Sequence, residues 1–290
     1  MRRIAIIGLG LIGGSIGLAL KKAERAEWER VGFARRAEVA AKAVTIGAVD
    51  KAEGDLVSAV EDTHLVMIAT PPMAIKEILA QIGEHLPPGC VVTDTASTKA
   101  QVMEWAQELL PPSISFIGGH PMAGKETFGI EAADAELFRN HIYCLVPGRS
   151  ASKKATDLMK GLVKQIGANP LLLDASEHDN LVAGISHLPL LVSAALVLAT
   201  TKSPSWPQMA RLTASGFRDV SRLASGSPEM SRDICLTNKG PILRWIDEFI
   251  KELGEFRHRI SEDGKELEQA FFRAREGREK WLRGMEREGN

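Results

Sequence analysis

The fold is decided at the start of the chain by the stretch RRIAIIGLGLIGGS, residues 2–15. Its first six residues are mostly apolar and rich in β-branched side chains, which predicts a buried strand. A G-x-G-x-x-G pattern follows at Gly8, Gly10 and Gly13, and the residues after it predict a helix. In this strand–turn–helix context the pattern is typical of dinucleotide-binding folds.

The glycines of this turn have separate tasks in such a site. Gly8 permits the tight turn, Gly10 lets the backbone approach a pyrophosphate, and Gly13 lets the helix pack closely on the strand. Leu11 and Ile12 lie in the same turn, where free N–H groups and the positive end of the helix dipole favour phosphate. The sequence therefore predicts that residues 8–13 bind a dinucleotide.

Apolar strand-like segments alternate with helical segments over the first 173 residues. The predicted strands cover residues 2–7, 30–33, 64–69, 90–94, 114–117, 141–146 and 169–173. This alternation predicts a Rossmann-type, doubly wound parallel sheet, whose site lies beyond the carboxyl ends of the strands. The loops expected to share one crevice there are 8–13, 34–36, 70–72, 95–99 and 118–126.

Strand signals stop near Asp174, and only helices are predicted after it. They cover residues 177–201, 205–215, 229–239, 240–259 and 262–285. We therefore expect a dinucleotide-binding domain over residues 1–173 and an all-helical domain over residues 174–290, which binds substrate and forms a homodimer.

One apolar run, Leu181 to Thr201, approaches the length of a membrane span. It contains His187, Pro189 and two serines, so a buried helix of a helical domain is the better interpretation. A helix that is apolar all round is more than one small helical domain can easily bury, which predicts that the domain dimerises. A self-contained helical bundle is the alternative.

Composition limits the partners and the compartment. The net charge of −1 gives no reason to expect nucleic acid or an anionic membrane. The three cysteines, Cys90, Cys144 and Cys235, stand far apart, so neither a metal site nor a disulfide framework is expected. Because the first strand starts at once, we expect no targeting peptide and a cytoplasmic protein.

The end of the second predicted strand bears on the choice between NAD and NADP. An NAD-binding fold usually places an acidic residue here to bind the ribose 2′-hydroxyl, but this chain has Ala34 followed by Arg35 and Arg36. Guanidinium groups pair with a 2′-phosphate, so the sequence favours NADP, with NAD as the alternative if these arginines are only solvated charges. Thr70 and Pro71 end another strand where a nicotinamide ring is expected to lie.

His120 is the candidate general base. It lies in the stretch GGHPMAGKE, residues 118–126, in which glycines on both sides leave room for a ligand. A dehydrogenase that oxidises an alcohol needs a group to accept the hydroxyl proton, and neutral histidine does so near pH 7. The alternative is a histidine that only caps a turn.

Other polar residues are candidates for binding substrate. Ser97 is expected at a helix N-terminus, where it either caps the helix or bonds substrate or His120. Arg218 and Arg222 are expected one helical turn apart with Asp219 between them. Asp219 is expected to neutralise one arginine, and the other is expected to bind a carboxylate. His187 is by default a core histidine.

Five motifs follow one another along the chain: GLGLIGGS (8–15), TDTASTK (93–99), GGHPMAG (118–124), ISHLP (185–189) and SGFRD (215–219) with Arg222. In these motifs, and over nearly its whole length, the sequence resembles the prephenate and arogenate dehydrogenases of tyrosine biosynthesis. The resemblance implies oxidative decarboxylation of prephenate to 4-hydroxyphenylpyruvate, or of arogenate to tyrosine. Hydride goes to NAD(P)+, and the ring carboxylate leaves as carbon dioxide because the ring becomes aromatic.

The resemblance also implies roles for individual residues. His120 is catalytic, Ser97 orients substrate and histidine, and Arg222 binds the side-chain carboxylate, with His187 and Arg218 expected nearby. Glu126 matches an acidic residue of prephenate-using members. Leu190 instead stands where many prephenate-specific members have a second histidine, which brings the sequence closer to members that accept arogenate or both substrates.

Two other functions stay open from the sequence. One is a hydroxyacid or imine dehydrogenase with the same two-domain plan, but those usually rely on a lysine of the helical domain. The other is a non-catalytic redox sensor that binds a dinucleotide, which leaves His120 and Arg222 without a task.

Overall fold

The computed structural model describes residues 2–23, 28–125, 127–262 and 264–288, with side chains up to 284. Its internal contacts divide the chain into two compact units, residues 1–239 and 240–290, and each unit is described by itself.

The first unit is built on one eight-stranded sheet with the order β3-β2-β1-β4-β5-β6-β7-β8. Its strands are β1 (Arg2–Ile7), β2 (Trp28–Phe33), β3 (Lys51–Ala52), β4 (Leu65–Ile68), β5 (Val91–Asp94), β6 (Ser115–Pro121), β7 (Ile142–Pro147) and β8 (Asn169–Leu172). The first six strands are parallel, β7 is antiparallel to β6, and β8 is parallel to β7.

Helices cover both faces of this sheet, as the sequence predicts. They are α1 (Leu11–Lys22), α2 (Ala37–Thr45), α3 (Leu56–Val60), α4 (Pro72–Ile82), α5 (Ala100–Leu109) and α6 (Lys153–Gln165). Along β1, Ile4 and Ile6 belong to one buried cluster while Ala5 and Ile7 belong to another. Successive strand residues point to opposite faces, so this division means that the central strand is buried on both sides.

The predicted fold class is confirmed, with one correction to the direction of its strands. The parallel sheet predicted for residues 1–173 ends at β6, because β7 and β8 run the opposite way. A parallel neighbour needs a long crossover that returns the chain to the other edge, usually through a helix. The described part of the connection after β6 contains only a short 3₁₀ turn (Ile130–Ala132), so the chain re-enters where β6 ends.

After the sheet the chain is helical, as predicted. The first unit continues with α7 (Ala175–Val182), a π-helical turn (Ala183–His187), α8 (Leu188–Thr201), α9 (Trp206–Arg211), α10 (Ser215–Ser221), a 3₁₀ turn (Arg222–Ser225) and α11 (Pro228–Thr237). The second unit contains α12 (Lys239–Glu262), except for its first residue, and α13 (Gly264–Glu288). Asp174 caps α7, since its carboxylate accepts the N–H of Glu177 at 2.8 Å. A domain boundary at this residue stays a prediction.

The expectation of one uninterrupted helix over residues 177–201 is wrong. A π-helical turn interrupts the helix just before Pro189, which has no N–H and cannot complete a regular α-helical ladder. Within this chain, moreover, Ser193 is the only buried residue that the structure describes in α8. Residues 175–201 are long and apolar enough to cross a membrane by length and composition, and only 22% of their most apolar window is buried.

Candidate functional site

The glycine-rich turn after β1 has the shape that a bound pyrophosphate requires. Gly8 has φ +98°, and a Cβ built on it would lie 2.4 Å from the carbonyl oxygen of Ala69. A Cβ on Gly13 would lie 2.0 Å from the carbonyl oxygen of Gly8, so only glycine lets α1 approach the turn this closely. No described atom lies within 4 Å of a Cβ built on Gly10.

The start of α1 is open to an anion. Gly10 is its N-cap and has no side chain to cap the helix, and the first turn, from Leu11 and Ile12 onward, contains no acidic residue. Its N–H groups are therefore available to an anion, and the helix dipole favours negative charge there. The residues present thus fit a dinucleotide, held at the carboxyl end of β1.

The other predicted cofactor residues lie at the ends of neighbouring strands. Thr70 follows β4, and its methyl group would be 2.9 Å from a Cβ on Gly8, so the loop at Thr70 and Pro71 adjoins the glycine-rich turn. Arg35 and Arg36 follow β2 and are exposed. The Nε of Arg36 lies 3.7 Å from the carboxylate of Glu38, and both side chains are 72% exposed, so this ion pair is weak.

His120 lies near the end of β6 and is only 7% exposed. Its Nδ1 is 2.9 Å from Nε2 of His178, and Nδ1 of His178 is 2.8 Å from Oδ1 of Asp179. A carboxylate oxygen only accepts, so His178 donates through Nδ1 and accepts through Nε2. His120 must then donate through Nδ1, which leaves its Nε2 as the unprotonated nitrogen.

The surroundings keep His120 neutral. Burial lowers its pKa well below 6.5, and the nearby His178, the Lys99 ammonium and His187 lower it further. A neutral imidazole with an unprotonated Nε2 is the form that a general base requires.

Lys99 and Asp94 form a fully buried ion pair beside this histidine. Asp94 also accepts the N–H groups of Ala96 at 2.8 Å and of Gly119 at 3.0 Å. Burial lowers the pKa of Lys99, and the charge of Asp94 opposes that shift. Removing one partner of a buried ion pair typically costs about 3–5 kcal/mol. Through the N–H of Gly119, the Asp94 carboxylate also holds the end of β5 against β6, the strand that carries His120.

The N-terminus of α5 is capped by Asp179. The two carboxylate oxygens accept the N–H of Lys99 at 2.7 Å and the N–H of Ala100 at 2.9 Å. Ser97 lies two residues before the N-cap, Lys99, and α5 has no side-chain cap of its own. The interpretation of Ser97 as a helix cap is therefore wrong, because Asp179 already occupies that position. The partly buried Ser97 instead has its backbone against the ring of His187.

His187 is 1% exposed and lies in the π-helical turn. The side-chain amide of Asn238 lies 3.2 Å from its Nδ1, whereas its Nε2 has no hydrogen-bond partner among the described residues. Burial lowers the pKa of His187 to about 4, against smaller opposing effects from Asp179 and the backbone of Ser97. A buried polar atom without a partner requires an explanation, and a catalytic or binding role is one of them.

The structure does not test the remaining predicted substrate residues. Arg218 lies exposed on α10, and Arg222 begins the 3₁₀ turn that packs with α10 against α8. Glu126 lies outside the described residues. Their contact with substrate stays a prediction.

Sequence reasoning missed His178, Asp179 and Asn238, and it gave no role to Asp94 or Lys99. The adjacent His-Asp pair at 178–179 at the start of an apolar run was the available signal. Asn238 had none, because its partners are distant in the sequence.

Two family models match the chain. The nucleotide-binding domain of prephenate dehydrogenase matches residues 16–172, and the dimerization domain of prephenate dehydrogenase matches residues 174–273.

Relatives and solved structures agree with these matches. The chain is 39% identical over 282 residues to prephenate dehydrogenase of Bacillus subtilis, with 95% of this chain and 75% of that protein covered. Synechocystis arogenate dehydrogenase is 32% identical, with a TM-score of 0.81 over 96% of this chain and 99% of that one. Prephenate dehydrogenase of Aquifex aeolicus, crystallised with hydroxyphenyl propionate and NAD+, is 27% identical, with a TM-score of 0.89 over 97% and 98% of the two chains.

The buried His187 predicts a stability that depends on pH. Its pKa is lower in the folded protein than in the unfolded chain, so the unfolded chain takes up the proton first as the pH falls. The free energy of unfolding therefore decreases below about pH 6.5, and His187 accounts for about 3 kcal/mol of that loss between about pH 7 and pH 4.

The contribution of His187 is measured by urea unfolding of the wild type and of His187→Asn at pH 7 and at pH 4. The variant should lose less stability on acidification by that amount, whereas the control His85→Asn, which alters an exposed side chain, should follow the wild type. Equal losses in His187→Asn and wild type would contradict the assignment.

Proposed function

Because the chain belongs to the prephenate dehydrogenase family, we propose that it oxidatively decarboxylates prephenate or arogenate with NAD(P)+. The observation that carries this proposal is the arrangement of His120. It is buried and neutral, its Nε2 is unprotonated, and it lies on the same edge of the sheet as the glycine-rich turn. The nicotinamide, when bound, supplies the hydride acceptor for the ring carbon that bears the hydroxyl group.

His120 acts as the base that takes the hydroxyl proton at Nε2. The Nδ1 proton can then move to Nε2 of His178, which places the positive charge beside the Asp179 carboxylate. This transfer matters because the Lys99 ammonium and burial both disfavour charge on His120 itself. Hydride loss leaves a ring ketone at that carbon. The bond to the ring carboxylate then breaks and carbon dioxide leaves, its electrons complete the aromatic ring, and the ketone oxygen becomes a phenolate that takes the proton back from the histidine pair.

We propose that the remaining predicted residues bind substrate. Ser97 and His187 lie beside each other, close to His120, and both can donate a hydrogen bond to a substrate oxygen. Arg222, with Arg218 and Glu126, is proposed for the side-chain end of the substrate, where a guanidinium group binds a carboxylate in two-pronged fashion.

The function is tested by the production of reduced nicotinamide from prephenate and from arogenate, each with NAD+ and with NADP+. Turnover of either substrate is expected. Replacement of the base by His120→Asn should lower kcat by about 10²–10⁴-fold and leave substrate KM within a few-fold. The matched control, His85→Asn, alters an exposed histidine and should keep wild-type rates.

Absence of turnover in all four assays, with dinucleotide binding intact, would reject the proposed dehydrogenase activity. An unchanged kcat in His120→Asn would remove His120 as the base.

We propose NADP as the preferred cofactor, on the support of the exposed guanidinium groups of Arg35 and Arg36 at the end of β2. The triple variant A34D/R35S/R36S adds the carboxylate that binds a ribose 2′-hydroxyl and removes both positive charges. It should lower kcat/KM for NADP+ by about tenfold or more relative to NAD+. The control R139S, at an exposed arginine on the connection between β6 and β7, should leave the ratio unchanged. An unaltered ratio in the triple variant would show that both arginines are solvated surface charges.

We propose further that the protein is a cytoplasmic homodimer. Leu181, Ile185 and Leu198 are each more than half exposed in the single chain, although they belong to its most apolar helical segment. The polar residues of that segment favour a soluble protein, because they are hydrogen-bonded within the chain and not directed into lipid. His178 is bonded to His120, Asp179 to the N-terminus of α5, and His187 to Asn238. A second copy of the chain is the partner that would cover this apolar surface.

The dimer is tested by Leu198→Glu, which places a charge on the exposed side of α8. Light scattering should report a dimer for wild type and a shift toward monomer for this variant. The control Leu171→Glu changes an equally apolar, partly exposed residue on β8 and should remain dimeric. A dimer undisturbed by Leu198→Glu would place the interface elsewhere.

A further inference from the structure

Asn238 follows α11 and is 3% exposed, and its side-chain amide joins two groups that are far apart in the sequence. The Nδ2 atom lies 2.8 Å from the backbone carbonyl oxygen of Asp179 and 3.2 Å from Nδ1 of His187. A carbonyl oxygen can only accept, so the atom beside it must be the amide nitrogen, and the orientation of the amide is fixed. The second N–H of the same nitrogen then points at His187.

This geometry decides where His187 carries its proton. A nitrogen that receives an N–H from Asn238 must be an acceptor, so Nδ1 of neutral His187 is unprotonated and Nε2 holds the proton. That Nε2 has no hydrogen-bond partner of normal geometry among the described residues, although the Ser97 backbone lies close to the ring. His187 therefore offers an N–H donor.

We infer that Asn238 is a positioning residue that holds His187 as an Nε2–H donor toward a substrate oxygen, opposite in tautomer to the acceptor His120. The inference rests on the proposed function for the identity of that oxygen, a carboxylate or hydroxyl group. Asp179 determines the tautomers of both histidines. Its carboxylate orders His178 and through it His120, and its backbone carbonyl orders Asn238 and through it His187.

The opposite tautomers have a chemical reason. The hydroxyl proton must leave the substrate, which needs an acceptor, while the negatively charged oxygens of the substrate must be held, which needs donors. If both histidines were free to exchange tautomers, each would be in the wrong form for part of the time. A buried amide of fixed orientation keeps His187 in one tautomer and so prevents this exchange.

The test is long-range ¹H–¹⁵N NMR of the substrate-free protein with ¹⁵N-labelled histidine. The signals of His187 are assigned as those that disappear from the spectrum of the His187→Asn variant. Wild type should show His187 with Nδ1 unprotonated and Nε2 protonated. In Asn238→Asp a carboxylate oxygen can accept from the ring, so Nδ1 should become protonated. Wild-type protein with the proton on Nδ1 of His187 would overturn the inference without any variant.

Kinetics provide the second readout. Asn238→Leu keeps much of the volume but donates nothing, so KM for the substrate should rise about tenfold while kcat stays within about threefold. Thr237→Val is the matched control. It removes two neighbouring buried hydrogen bonds, one between the hydroxyl groups of Thr237 and Thr98 at 2.8 Å and one from Thr237 to the carbonyl oxygen of Asp233 at 2.7 Å, but touches neither histidine in the described contacts. Equal kinetic changes in Asn238→Leu and Thr237→Val would mean that Asn238 only supports the fold, and would overturn the inference.

The two proposals fail separately. An Nε2–H signal for His187 in a protein that turns over neither prephenate nor arogenate would reject the proposed function and support the tautomer assignment. Turnover with the proton of His187 on Nδ1 would do the reverse.

Discussion

The rest of the site depends on the hydrogen bonds that the Asp179 carboxylate accepts. This carboxylate caps α5, which follows the sheet strand β5, although it belongs to α7, which begins after the sheet has ended. A helix N-terminus without a partner would leave buried N–H groups unsatisfied, so the cap fixes where α7 lies relative to the sheet. The same carboxylate accepts the Nδ1–H of His178, and His178 is hydrogen-bonded to His120. The position of the base therefore follows from the packing of α5 and α7.

The second constraint is electrostatic. Lys99 and His120 are buried in the same region, and of these two side chains only Lys99 has a carboxylate in direct contact in the described structure. Burial and the ammonium charge therefore act together to keep the imidazole neutral. A base held in this way accepts a proton only when the charge can be passed on, which gives His178 and Asp179 a chemical role as well as a structural one.

The parts of this protein that local sequence patterns determine could be predicted. The strand–turn–helix at 2–22 and the alternation that follows it depend on short-range periodicity, and the TDTASTK and GGHPMAG motifs pointed to Ser97 and His120. The antiparallel end of the sheet depends on the path of a connection, which periodicity does not encode. The bonds of Asp179 to α5 and of Asn238 to Asp179 join residues 80 and 59 positions apart, so no local pattern contains them.

The π-helical turn at Ala183–His187 explains how one helical segment supplies two histidines to one site. In a regular α-helix, His178 and His187 would be nine residues apart and about 180° from each other around the axis. A π turn adds one residue without adding rotation, which reduces that separation to roughly 80°. Both rings are buried in the structure. The apolar residues before and after the turn therefore differ in phase by about 100° around the helix axis, and a single helical wheel drawn through residues 175–201 would misplace one group relative to the other.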